Sequence, residues 1–223
     1  MQSVKSNFNK LLYLAIIITA IIAGWGLSQI FSNSSVSSNQ INMTFELTDH
    51  NGQSLTSGDL KNKSKVIFFG FTNCPDVCPI STDLMSASIN NISNANFNLD
   101  SIEFLFITTD PKRDNPERMR NYLSDYNSKI IGLTGEHVNL KKVWKNFFVH
   151  VLPASGGAHD HSKKNTEEVS GYETDDYMVE HTAFYYLFNG DDELSAILPF
   201  GTSEEILLTE IKRILWFMKY LSR

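Results

Sequence analysis

The chain has 223 residues, 42% of them hydrophobic, which is enough for one ordinary domain with a full core and one further segment. A formal charge of −6, without any Lys/Arg cluster interleaved with aromatics, argues against nucleic-acid binding. Two cysteines are too few for a disulfide scaffold, so Cys74 and Cys78 read as a reactive pair.

Residues 11–31 carry no charged side chain, and about 20 apolar residues suffice to cross a bilayer. Lys5 and Lys10 precede this run and the next Lys or Arg is Lys61, so the positive-inside rule places residues 1–10 in the cytoplasm. Tyr13 and Trp25 fall near its two ends, where amphipathic rings prefer to sit. A cleaved signal peptide is the competing reading, but the run exceeds a typical h-region and no convincing small-x-small cleavage site follows it. We therefore expect a single-pass anchor over 11–31 in the cytoplasmic (inner) membrane. Residues 32–42 then form a serine-rich tether, and a globular domain over 43–223 faces the periplasm, where a thiol pair tends to oxidise unless kept reduced.

Within the domain, residues 43–48 alternate as a strand, the turn Asp49-His50-Asn51-Gly52 follows, and a second short strand comes after it. His50 reads as a polar turn residue. Residues 66–72 form a continuous apolar run, as expected of a strand covered on both faces. The chain then turns through Cys74-Pro75-Asp76-Val77-Cys78 into a helix expected to begin at Pro79 and fade near Asn90. A second buried strand spans 103–109 and ends in Asp110-Pro111-Lys112-Arg113-Asp114. Asn115 and Pro116 read as the cap and first residue of the next helix.

A short strand is expected over 130–133. A helix over 137–148 follows, with Val138, Leu140, Val143, Trp144 and Phe147 on its apolar side, and the chain is extended to Leu152. Residues 154–176 are polar, as functional or disordered loops are. Residues 182–188 and 194–198 flank a hairpin turn, and a last helix has Thr202 and Glu205 at capping-box spacing, with Leu207, Ile211, Ile214 and Met218 on one face. Helices alternating with buried strands imply an α/β fold, a mixed sheet with flanking helices. A thiol pair between the first buried strand and its helix makes that arrangement thioredoxin-like. The two strands then deliver Cys74 and Asp110 to one end of the sheet.

Beside a helix N-terminus at least one of the two thiols should titrate below a free cysteine, and the pair can either form a disulfide or grip a thiophilic metal. Two thiolates and one imidazole satisfy a soft ion such as Cu(I), and His181, where a polar loop enters an apolar strand, is the strongest third donor. His159 and His161 frame Asp160 in the glycine-bearing loop, either as a solvated segment or as an auxiliary metal-capturing arm. Asp110 is either a carboxylate facing the thiols or a turn cap partnered by Arg113. His137 and His150 lie in segments read as structural.

Three blocks, Phe69 to Pro79, Asp110 to Asp114 and Val179-Glu180-His181-Thr182, resemble the signature blocks of the Sco/SenC family in family order. The resemblance implies a thioredoxin-like fold, a membrane anchor and a copper site at Cys74, Cys78 and His181, for Cu(I) with Cu(II) as a second candidate state. It also implies a role in assembling the binuclear copper centre of cytochrome c oxidase, as a copper chaperone or as a thiol reductant of that site. The partners implied are the copper-bearing oxidase subunit and another periplasmic copper chaperone or thiol reductant. Three departures stand out: Asn73 where histidine is common, Glu180 where aspartate is usual, and a longer loop around His159 and His161. A peroxide-reducing or redox-sensing module is a third reading that rests on the fold alone.

Overall fold

The computed structural model describes residues 19, 41, 43–95, 97–154 and 177–221. The expected anchor apart from Thr19, the tether apart from Ile41, and the loop holding His159 and His161 lie outside the described residues. Among the described residues no helix is long and apolar enough to cross a membrane. The chain divides after Gln40, and the fold is that of the unit Ile41–Arg223.

Its strands are β1 (Glu46–Asp49), β2 (Ser54–Thr56), β3 (Ser64–Gly70), β4 (Ile102–Thr108), β5 (Ile130–Thr134), β6 (Val151–Ala154), β7 (Met178–His181), β8 (Phe184–Phe188) and β9 (Leu194–Pro199). The helices are α1 (Val77–Asn94), α2 (Pro116–Leu123), α3 (His137–Asn146) and α4 (Glu204–Leu221). Seven strands form one sheet in the order β2-β1-β5-β4-β3-β8-β9, and β6 pairs with β7 separately. β3, β4 and β5 are parallel, and the remaining pairs are antiparallel.

The core sits on both faces of this mixed sheet because β3 and β4 are apolar at consecutive positions, Val66 to Phe69 and Phe104 to Ile107. Val66, Phe68, Phe104 and Phe106 pack with residues of α1, α2 and α4 on one face. Ile67, Phe69, Leu105 and Ile107 meet α3 and the segment from Ile41 to Leu47 on the other. In-register pairing sets Gly70 beside Thr108, and Thr109 N donates to Gly70 O, so the exits of β3 and β4 lie side by side.

Several local expectations are corrected. β3 ends at Gly70, leaving Phe71 and Thr72 in the turn, and α1 begins at Val77 rather than Pro79. Proline fits inside the first turn because its missing N–H has no intrahelical partner there. α1 also runs on to Asn94. Val138 is 59% exposed, while Leu140, Val143, Trp144 and Phe147 carry the buried face of α3. The last helix is capped by Ser203, whose Oγ accepts from Ile206 N, and the Thr202 hydroxyl instead donates to Pro199 O. Asn115 caps α2 as expected, accepting from Arg118 N at 2.8 Å.

Candidate metal centre

The centre begins with the turn between β3 and α1. Cys74 N donates to Phe71 O, closing the turn, and Cys78 N donates to Cys74 Sγ at 3.4 Å. Both cysteines are free thiols, Cys78 fully buried and Cys74 partly exposed. Gly70 makes the burial possible: a Cβ there would stand 2.8 Å from Cys78 Sγ and 2.9 Å from the Phe106 ring.

The two thiols are electrostatically unequal. A hydrogen bond from the Cys78 thiol, with further help from backbone N–H groups and His181, pulls Cys74 down to about 5 against the effect of burial. The same hydrogen bond, burial and the Cys74 charge push Cys78 well up. At neutral pH Cys74 is a thiolate and Cys78 holds the shared proton.

His181 arrives from 103 residues further along, with Nε2 3.8 Å from Cys78 Sγ. It does not open the strand of the β8–β9 hairpin as expected; it ends β7, held against β6 through the Val151–His181 pair. Its Nδ1 lies 3.1 Å from Thr182 O, and a carbonyl only accepts, so Nδ1 carries the proton and the Nε2 lone pair faces the thiol. A ligating imidazole is usually fixed in this way, by giving its other N–H to a carbonyl. Burial lowers the His181 pKa and keeps the ring neutral at pH 7. Phe71 meets the ring edge-on at a centroid distance of 5.7 Å.

Asp110 does sit at the exit of β4, but its carboxylate is engaged by Arg113 Nε and the Tyr177 hydroxyl, as in the turn-cap reading. The carboxylate that acts on Cys78 is Asp114, which the sequence reading passed over. Fully buried, it accepts from Thr72 N, Thr72 Oγ1 and Thr108 Oγ1, while burial pushes its pKa up. Arg118 of α2 donates to Thr72 Oγ1 and Asn73 Oδ1, both at 3.0 Å, so Asn73 serves as an anchor for the cysteine turn. His50 is more than a turn residue, since its Nδ1 accepts from Gly132 N. In the sequence Asp114 is marked only as the end of the Asp110–Asp114 block and as the residue before the Asn115 cap.

The donor set is soft sulfur plus a neutral imidazole, which suits a thiophilic ion. Among the described residues no group of three or more His, Cys, Asp or Glu side chains is closed tightly enough to hold a metal ion as it stands. The three donors are neighbours in series, Cys74 to Cys78 to His181.

The chain belongs to the SCO1/SenC family, whose sequence model matches residues 33–216. Protein sco1 of Schizosaccharomyces pombe is 40% identical over 170 residues, covering 75% of this chain and 58% of that protein. The chain spans about half the length of the curated relatives it matches. Bradyrhizobium japonicum ScoI, solved with copper bound, is 32% identical with a TM-score of 0.62, covering 77% of this chain and 97% of that one. Yeast Sco1 with copper bound is 30% identical with a TM-score of 0.60, covering 76% and 85% respectively. The mixed α/β, thioredoxin-like fold is shared with these proteins.

Proposed function

We propose that this protein is a copper chaperone in which Cys74, Cys78 and His181 hold Cu(I) for transfer to the copper-bearing subunit of cytochrome c oxidase, with Cu(II) as a second bound state. The carrying observation is the His181 ring, whose Nδ1–H faces Thr182 O and whose Nε2 lone pair is turned to Cys78 Sγ, beside a Cys74 Sγ that accepts from the Cys78 backbone N–H. Relatives solved with copper bound support the choice of metal, and the family is one of cytochrome c oxidase assembly proteins. Copper is cargo in this scheme. Binding draws the three donors closer and expels the Cys78 proton, and partial exposure of Cys74 lets an acceptor thiolate enter by ligand exchange. Residues 11–31 anchor the domain to the inner membrane, 32–42 tether it, and His159 and His161 are auxiliary donors.

The test is an anaerobic Cu(I) titration of the reduced chain against a chromophoric chelator. Parent protein should bind one ion tightly, His181→Ala at least about tenfold more weakly, and Cys74→Ser with Cys78→Ser not competitively. Equal affinity in parent and His181→Ala would sink the three-donor site.

A second reading rests on the inequality of the thiols. Cys74, as the ionised and accessible member, attacks one sulfur of a partner disulfide and expels the other partner sulfur as a thiolate. Cys78 then loses its proton and attacks Cys74, forming the Cys74–Cys78 disulfide and releasing the second partner thiolate. The partner gains the two electrons that the pair loses. In this role His181→Ala keeps activity while either cysteine substitution abolishes it, which separates the two readings.

A further inference from the structure

A groove of about 720 Å³ opens beside the centre, between the exit of β4, helix α3 and the β6–β7 hairpin. On a chain of formal charge −6, its wall carries Lys112, Lys141 and Lys145. The one carboxylate in the lining, Asp110, is already engaged by Arg113 and the Tyr177 hydroxyl. Lys141 and Lys145 form no ion pair among the described residues. The floor is apolar, with Trp144, Val149, Val151 and Val179.

At the rim stands Phe148, 54% exposed, with φ at +55°. It occupies the left-handed position of a Schellman ending, in which Phe148 N donates to Lys145 O and Val149 N to Trp144 O. Glycine or asparagine ordinarily fills that position, and a bulky aromatic there is a conformational outlier. An exposed phenylalanine is thus kept where folding alone disfavours it.

The groove is continuous with the centre. Val151 in its floor pairs directly with His181. Tyr177 in its wall lies under the Arg113 guanidinium at 3.8 Å, Arg113 stands 5.8 Å from the Phe71 ring, and Phe71 abuts His181. An occupant pressed on Tyr177 therefore adjoins a packed row of side chains ending at the imidazole.

We propose that this groove is the docking site for an extended acidic segment of the partner protein, its carboxylates on Lys112, Lys141 and Lys145 and an apolar side chain against Phe148. The inference deepens the functional reading above by giving the chemistry of the partner's approach, and its test does not involve copper.

The full chain in phosphatidylcholine nanodiscs would be titrated with a short fluorescent peptide of Glu and Asp around one Tyr, alongside a counterpart with Lys at every acidic position. The acidic peptide should bind at least about tenfold tighter than the basic one, weaken as salt rises, and weaken about tenfold again in Lys141→Glu with Lys145→Glu. Phe148→Asn should weaken binding several-fold without lowering the melting temperature. The same variants should keep the parent's Cu(I) affinity, so failure here is distinguishable from failure of the copper site. Equal binding of both peptides, indifference to the lysine reversals, or full competition by free glutamate would overturn the proposal, the last by making this a small-anion site. Residues 167–176 of the chain are themselves acidic. If the peptide binds only after Glu167, Glu168, Glu173, Asp175 and Asp176 are neutralised, the natural occupant is internal and the proposal falls.

Discussion

At the scale of single residues, the centre depends on one missing side chain and one proton. Gly70 leaves the space that Cys78 Sγ fills, so Gly70→Ala should lower stability by about 1–3 kcal/mol, the usual range for overpacking. It should also weaken Cu(I) binding by moving Cys78 off the His181 lone pair. A urea melt and a chelator titration check both, and parent-like values would refute the tight fit. The proton makes a second prediction. Cys74 is held down to about 5 and the His181 pKa is lowered, so near pH 7 both are already in their ligating forms. Only Cys78, pushed up, has a proton to lose. Cu(I) uptake should release about one proton, and log K should rise by about one per pH unit through neutrality. Calorimetry in buffers of different ionisation enthalpy reads the number directly, and a release near two would mean that Cys74 is not a thiolate beforehand.

At the scale of elements, α2 acts as a brace for the cysteine turn. Its first residues follow the Asn115 cap, and one turn in, Arg118 reaches Thr72 and Asn73. Asn115→Ala should remove about 1 kcal/mol of stability. It should also loosen the turn, seen as faster hydrogen exchange at Thr72 and Cys74; exchange unchanged from the parent would show the brace to be idle. This helix was legible from Asn115-Pro116 because a cap and its proline are local signals. The buried strands were legible for the same reason, since Val66 to Phe69 and Phe104 to Ile107 are unbroken apolar runs. The β6–β7 pair was not: Met178 and Glu180 are exposed and only Val179 is buried, too little alternation to mark a separate hairpin. The role of Asp114 was hidden because its partner Thr72 stands 42 residues earlier, beyond the end of β3, a relation that no local spacing records. The start of α1 was misplaced because proline is commonest at the first helical position, whereas here it sits two residues further in.

At the scale of the whole molecule, the sheet order puts the two halves of the centre on opposite sides of the sequence. Among the described residues the cysteines follow the third strand and the histidine ends the seventh, with three α-helices between those strands. The separation of 103 residues between Cys78 and His181 also has a meaning in time. At roughly 5–20 residues per second, a ribosome needs about 5–20 s to travel from one to the other. For that interval the dithiol exists without its imidazole, as a bare nucleophile that can oxidise or seize a stray ion. The complete donor set therefore exists only once the β6–β7 hairpin has closed and brought His181 to the thiols.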